Sequence, residues 1–113
     1  AKVLTDHISQ VKGLIPPFIA SCRNHVFHQY TIRVTEDYKY SRDELQQILL
    51  ENGISTIIYY PTPIHRQPSF KALGYQENLP VTETVTRQVL SLPVHPGLTR
   101  SDLNKIVEVI KGL

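Results

Sequence analysis

The stretch from Gly53 to Gln67 constrains this chain more than any other. It reads Gly-Ile-Ser-Thr-Ile-Ile-Tyr-Tyr-Pro-Thr-Pro-Ile-His-Arg-Gln. Gly53 suits the end of a helix, because glycine takes the left-handed conformation at little cost. Ile54 to Ile58 is rich in β-branched residues and reads as a short buried strand. Pro61 and Pro63 then remove two backbone donors and turn their predecessors away from helix. The strand is therefore expected to end in a stiff, extended turn that presents tyrosines, a histidine, an arginine and a glutamine. Polar groups on a loop held by a rigid scaffold are where binding residues gather.

The rest of the chain supplies that scaffold. Ala1 to Gly13 places Leu4, Ile8 and Val11 on one helical stripe, closed by Gly13 and blocked by Pro16-Pro17. Ile15 to Asn24 is a connector. Val26 to Val34 reads as a strand. His28, Tyr30, Ile32 and Val34 share one face, and the Tyr30, Ile32 and Val34 side is the core side. Ser41 and Glu44 have the spacing of a capping box, and Leu45, Ile48 and Leu49 carry the helix that Gly53 ends. Pro68 to Gly74 reads as one short helical turn. Pro80 suits the first turn of a helix whose stripe is Val81, Val85 and Val89. Leu90 to Val94, broken by Pro93, reads as an edge strand. Thr99 to Asp102 caps a last helix that buries Leu103, Ile106, Val107 and Ile110. Three strands and four helices predict an α+β fold: a small three-stranded sheet, antiparallel or mixed, with helices packed on one face.

Composition narrows the function classes. A formal charge of +2, with basic residues scattered through 113 positions, argues against nucleic acid. No apolar run approaches the roughly 20 residues that span a bilayer. The single cysteine, Cys22, leaves no internal disulfide to require an oxidising compartment, so a cytoplasmic setting is expected. The sequence contains no Met, which is expected of a processed product or a piece of something longer.

Catalytic signatures are sparse. His25 and His28 are three apart, a spacing that sends them to opposite faces of a strand, so no metal site is expected. No nucleophile elbow, dinucleotide loop or phosphate loop occurs, because the five glycines are isolated. Asp43 and Glu44 sit at a helix start, where negative charge is favourable for its own sake. His65 stands out: held behind two prolines, its imidazole can donate to an anionic or hydroxyl-bearing ligand. Arg66 has the donor geometry for phosphate.

Several words of the sequence, in order, resemble one known family. Arg42-Asp43-Glu44-Leu45, Gly53-Ile54 and Tyr60-Pro61-Thr62-Pro63-Ile64-His65-Arg66-Gln67 come first. Leu79-Pro80-Val81-Thr82-Glu83 and Leu90-Ser91-Leu92-Pro93-Val94-His95-Pro96-Gly97 follow, and Asn24 to Tyr30 matches upstream. Together they resemble the C-terminal part of the DegT/DnrJ/EryC1/StrS family of pyridoxal-phosphate-dependent sugar aminotransferases, although many members carry His where this chain has Tyr59. The resemblance implies the small domain of a fold-type I enzyme. Residues 1–23 would be a helix and linker from a preceding large domain, and residues 24–113 the small domain. It implies a homodimer acting on nucleotide-linked keto sugars, with the Schiff-base lysine in the large domain. None of Lys2, Lys12, Lys39, Lys71, Lys105 and Lys111 lies in the family's lysine motif, so this chain by itself is expected to be inactive and to bind no pyridoxal phosphate. Tyr60, His65 and Gln67 are expected to shape the sugar-nucleotide pocket. Two other functions compete: a stand-alone module binding a nucleotide or phospho-sugar, and a self-associating interaction domain.

Overall fold

Strand β2 (Tyr30–Val34) is the centre of the computed structural model, which describes all 113 residues. It lies between β1 (Leu14–Ile15) and β3 (Val89–Leu92), antiparallel to both. Tyr30, Ile32 and Val34 are buried, as their alternation requires, and Leu92 and Leu90 sit opposite Tyr30 and Ile32. Helices α1 (Lys2–Ile8), α2 (Arg42–Glu51) and α5 (Arg100–Gly112) close this side with Leu4, Ile8, Leu45, Leu49, Ile106, Val107 and Ile110. The Tyr30 hydroxyl is satisfied by Thr5 Oγ1 at 2.7 Å, while burial pushes the phenol pKa up. On the reverse face, Thr31 Oγ1 meets Ser91 Oγ at 2.8 Å. Arg33 Nε and Nη2 donate to Gln88 Oε1, at 3.0 and 2.6 Å, at the end of α4 (Pro80–Gln88).

The helix ends follow the sequence signals. Ser41 and Glu44 form a reciprocal capping box on α2, and Thr99 and Asp102 form one on α5. At the other end of α2, Gly53 has φ +74°, its N–H bonds Leu50 O at 2.8 Å, and the Ile54 N–H bonds Leu49 O at 2.8 Å. That pair of bonds is the Schellman closure, and it drops Ile54 into the core beside Leu49.

Several elements differ from the sequence expectation, each for a physical reason. Ile54 to Ile58 is not a strand of the sheet: one bridge forms, Ile57 with Ser91. In that antiparallel register the next hydrogen-bonded pairs would be Ser55 with Pro93 and Tyr59 with Val89. Pro93 has no N–H, and the Val89 N–H already donates to Val85 O in α4, so the ladder stops after one rung. The third strand is instead the two-residue β1, whose Ile15 begins the segment expected to be a connector. Strand β2 starts at Tyr30 rather than Val26. Before Tyr30 the backbone leaves the extended conformation: Phe27 takes φ +47°, and Val26 and His28 are exposed.

Helix α1 ends at Ile8, but its stripe continues because Gln10 and Val11 bond three residues back, to His7 O and Ile8 O. Gly13 therefore closes the turn into β1 rather than the helix itself. Leu4, Ile8 and Leu14 share one core with β2 and α5, so residues 1–15 are part of the packing. Val81 is 76% exposed, and α4 buries no side chain fully. No helix is long and apolar enough to cross a membrane.

Candidate functional site

The loop after Ile57 leaves the sheet and makes almost no backbone contact with it. Pro61 and Pro63 offer no donors, and a single 3-10 turn, Ile64–Arg66, follows. The Arg66 N–H bonds Pro63 O at 2.9 Å and the Gln67 N–H bonds Ile64 O at 3.0 Å. Helix α3 (Pro68–Ala72) begins at once, with Pro68 in its first turn and Gly74 past its end at φ +86°.

This turn aims two side chains at one carboxylate. His65 is 8% exposed, and its Nε2 lies 3.1 Å from Glu83 Oε1. Arg66 donates to the same oxygen through Nε at 3.0 Å and Nη2 at 2.6 Å. An ionised carboxylate only accepts, so the Nε2 of His65 carries its proton. The hydrogen bonds from Arg66, then the one from His65, hold the Glu83 carboxyl below the usual carboxylate range.

Tyr60 and Gln67 face elsewhere. They line a pocket of about 470 Å³ between the proline loop and α4, with Ile64 and Phe70 on the loop side and Thr82 and Thr86 on the helix. Tyr60 is 69% exposed at its mouth. No Lys or Arg lines this pocket. His65 opens instead on a neighbouring concavity of about 390 Å³ that it shares with Tyr75 and Leu79. Phe70 and Tyr75 meet edge to face at 5.6 Å beside both. The three residues expected to act as one set are thus divided. Two line the pocket, and the third anchors the turn that carries them. Arg66, whose fork has the donor geometry for phosphate, donates to Glu83 instead.

Sequence reasoning assigned no role to Thr82, Thr86 or Glu83. Thr82 and Thr86 are one turn apart on a helix that Pro80 announces, so their shared face was legible. The valine stripe drew attention to the neighbouring face, which the fold leaves partly open. A further concavity of about 420 Å³ carries Lys39, Arg42 and Arg87. Arg42 is a strut there: its Nη1 donates to Thr86 O and Val89 O at 3.3 and 3.2 Å and ties α2 to the end of α4. His25 Nδ1 accepts the Phe27 N–H at 2.9 Å, and no cluster of three His, Cys, Asp or Glu side chains is arranged for a metal.

The model of the DegT/DnrJ/EryC1/StrS aminotransferase family matches residues 1–111. The chain belongs to that family. It is 46% identical over 98 residues to the pleiotropic regulatory protein of Geobacillus stearothermophilus, covering 86% of this chain and 25% of that protein. It is 33% identical over 94 residues to the dTDP-3-amino-3,6-dideoxy-alpha-D-galactopyranose transaminase of Aneurinibacillus thermoaerophilus, covering 83% and 24%. The crystal structure of S. venezuelae DesV in complex with a ketimine intermediate superposes with a TM-score of 0.84 at 32% identity, over 98% of this chain and 29% of that one. The chain thus spans about a quarter of the length of the curated relatives it matches.

Pyridoxal phosphate, the cofactor of this family, needs an amine that loses its proton readily, which proteins achieve by desolvating a lysine. All six lysines here are exposed, and none lines the pocket beside Tyr60. The residues present do not form an anchor for the cofactor.

Proposed function

We propose that this chain is the C-terminal small domain of a pyridoxal-phosphate-dependent aminotransferase that acts on nucleotide-linked keto sugars. Residues 1–23, whose first half packs into the core, lead in from a preceding large domain that carries the Schiff-base lysine. The whole enzyme works as a cytoplasmic homodimer. Tyr60 and Gln67 contact the substrate, and His65 serves it by holding the loop.

One observation carries this assignment to the proline loop: a pocket with an aromatic wall, three threonines and an amide, and no cation. Such a surface suits the uncharged parts of a nucleotide sugar, by stacking and by hydrogen bonds to hydroxyls. A diphosphate needs donors of positive charge, and those must come from outside this pocket. The chain supplies shape on one side of the substrate, while the cofactor and the phosphate ligands belong to the remainder of the enzyme.

The test is to express the chain together with its upstream coding sequence and assay amino transfer from glutamate to a dTDP-linked keto sugar. The enzyme should aminate the sugar, and Tyr60→Ala and Gln67→Ala should raise KM while leaving the absorbance of bound pyridoxal phosphate unchanged. The 113-residue chain alone should form no borohydride-stable lysine adduct with the cofactor. A specific adduct on this chain, or an enzyme indifferent to both substitutions, would overturn the assignment.

A further inference from the structure

We infer that Glu83 is the positioning residue that sets the separation of the two walls of the Tyr60 pocket. One wall is the proline loop and α3; the other is α4, through Thr82 and Thr86. No other side-chain hydrogen bond or ion pair joins them. The loop's own backbone bonds are local, from Arg66 to Pro63 and from Gln67 to Ile64, and α4 buries no side chain fully. The prolines stiffen the loop but make no bond across the gap.

Glu83 bridges it. Its Oε1 receives three N–H donors from two consecutive residues of the loop, two from Arg66 and one from His65. Charge-assisted bonds of this kind are about twice as strong as neutral ones, and the planar fork of Arg66 fixes direction as well as distance. Glu83 follows Thr82 directly on α4. A carboxylate pinned at this point therefore fixes how far Thr82 and Thr86 stand from Ile64 and Phe70. Most of the His65 ring is out of solvent, so the turn cannot swing outward without exposing it. That the pocket receives a sugar rests on the function proposed above; the clamp rests on the geometry alone.

The test is amide hydrogen exchange, followed residue by residue on the 113-residue chain. In Glu83→Ala, exchange at Arg66 and Gln67 should rise about tenfold or more, while Ile32 and Leu90 keep their wild-type rates. Glu83→Gln keeps the length and one acceptor oxygen but loses the charge, so its loop rates should fall between the two. Loop amides that exchange at the wild-type rate in Glu83→Ala, or that rise only in step with Ile32 and Leu90, would overturn the inference. If Glu83→Ala does not fold, Glu83→Gln decides the matter by the same comparison. Accelerated loop exchange in an enzyme that proves not to aminate sugars would leave the clamp standing and remove only the function.

Discussion

The sheet side and the loop side of this molecule are held together by different physics. On the sheet side, fourteen buried apolar residues, from α1, α2, α5 and the three strands together with Ile54, form one cluster. On the loop side, from Tyr59 to Gln88, His65 is the only buried residue, and it is buried against a carboxylate. Hydrophobic burial is non-directional and tolerant of small shifts, whereas a three-donor clamp on one oxygen fixes position. The frame is therefore built by area, and the candidate binding loop is built by direction.

Glycine substitutions test the contrast most severely. A Cβ on Gly13 would lie 2.1 Å from the Tyr38 backbone nitrogen, at φ +83°. Gly13→Ala is expected to cost at least about 3 kcal/mol, seen as a large shift or loss of the urea transition. Gly74, at φ +86°, has nothing within 4 Å of such a Cβ. Gly74→Ala should cost about 1 kcal/mol, from backbone conformation alone. Equal costs at the two glycines would erase the distinction between packed and open sides.

Apolar truncation is the next test. Ile32 is fully buried at the centre of the sheet, so Ile32→Ala should cost about 2–5 kcal/mol by chemical denaturation. Phe70 is half-buried on the loop side, and Phe70→Ala should cost about 1 kcal/mol. The helix caps match that smaller effect. Ser41→Ala and Thr99→Ala each remove an acceptor from a capping box and should each cost about 1 kcal/mol, additively, since α2 and α5 are capped independently.

Acid should act on both sides, through three carboxyls. Hydrogen bonds from Ser41, Arg66 and Thr99 hold Glu44, Glu83 and Asp102 respectively below their ordinary values. A carboxyl depressed in the native state binds fewer protons than its unfolded counterpart. Its contribution is thus complete above the unfolded value of about 4, and is lost as pH falls through the native one. Stability should be flat in these groups at neutral pH and decline in acid. Carboxyl titration by NMR should find all three below the ordinary range; Glu83 titrating normally would mean that the clamp is open in solution.

Local signals made much of the frame legible. The capping boxes, the Gly53 closure, the Pro80 start and the alternation of Tyr30, Ile32 and Val34 all depend on neighbours within a few residues, and all appear as expected. Strand membership does not. Ile54 to Ile58 has every local mark of a strand, yet Pro93 and the committed N–H of Val89 end its ladder. Leu14–Ile15 has few such marks and joins the sheet because Val34 and Arg33 are opposite. The loop was legible in the same partial way. Tyr60 and Gln67, singled out from the sequence, line one pocket, but what His65 and Arg66 do is decided by Glu83, 17 residues further on from Arg66. Nothing local marks that pairing.

Native-state hydrogen exchange under increasing urea tests the two-sided construction most directly. Amides of Ile32 and Leu90 should exchange only through global unfolding, with rates that rise steeply with denaturant. Those of Gln67 and α4 should exchange through local opening that denaturant hardly changes. A single free energy and a single urea dependence across both sets would contradict the account, because loop and frame would then open as one unit.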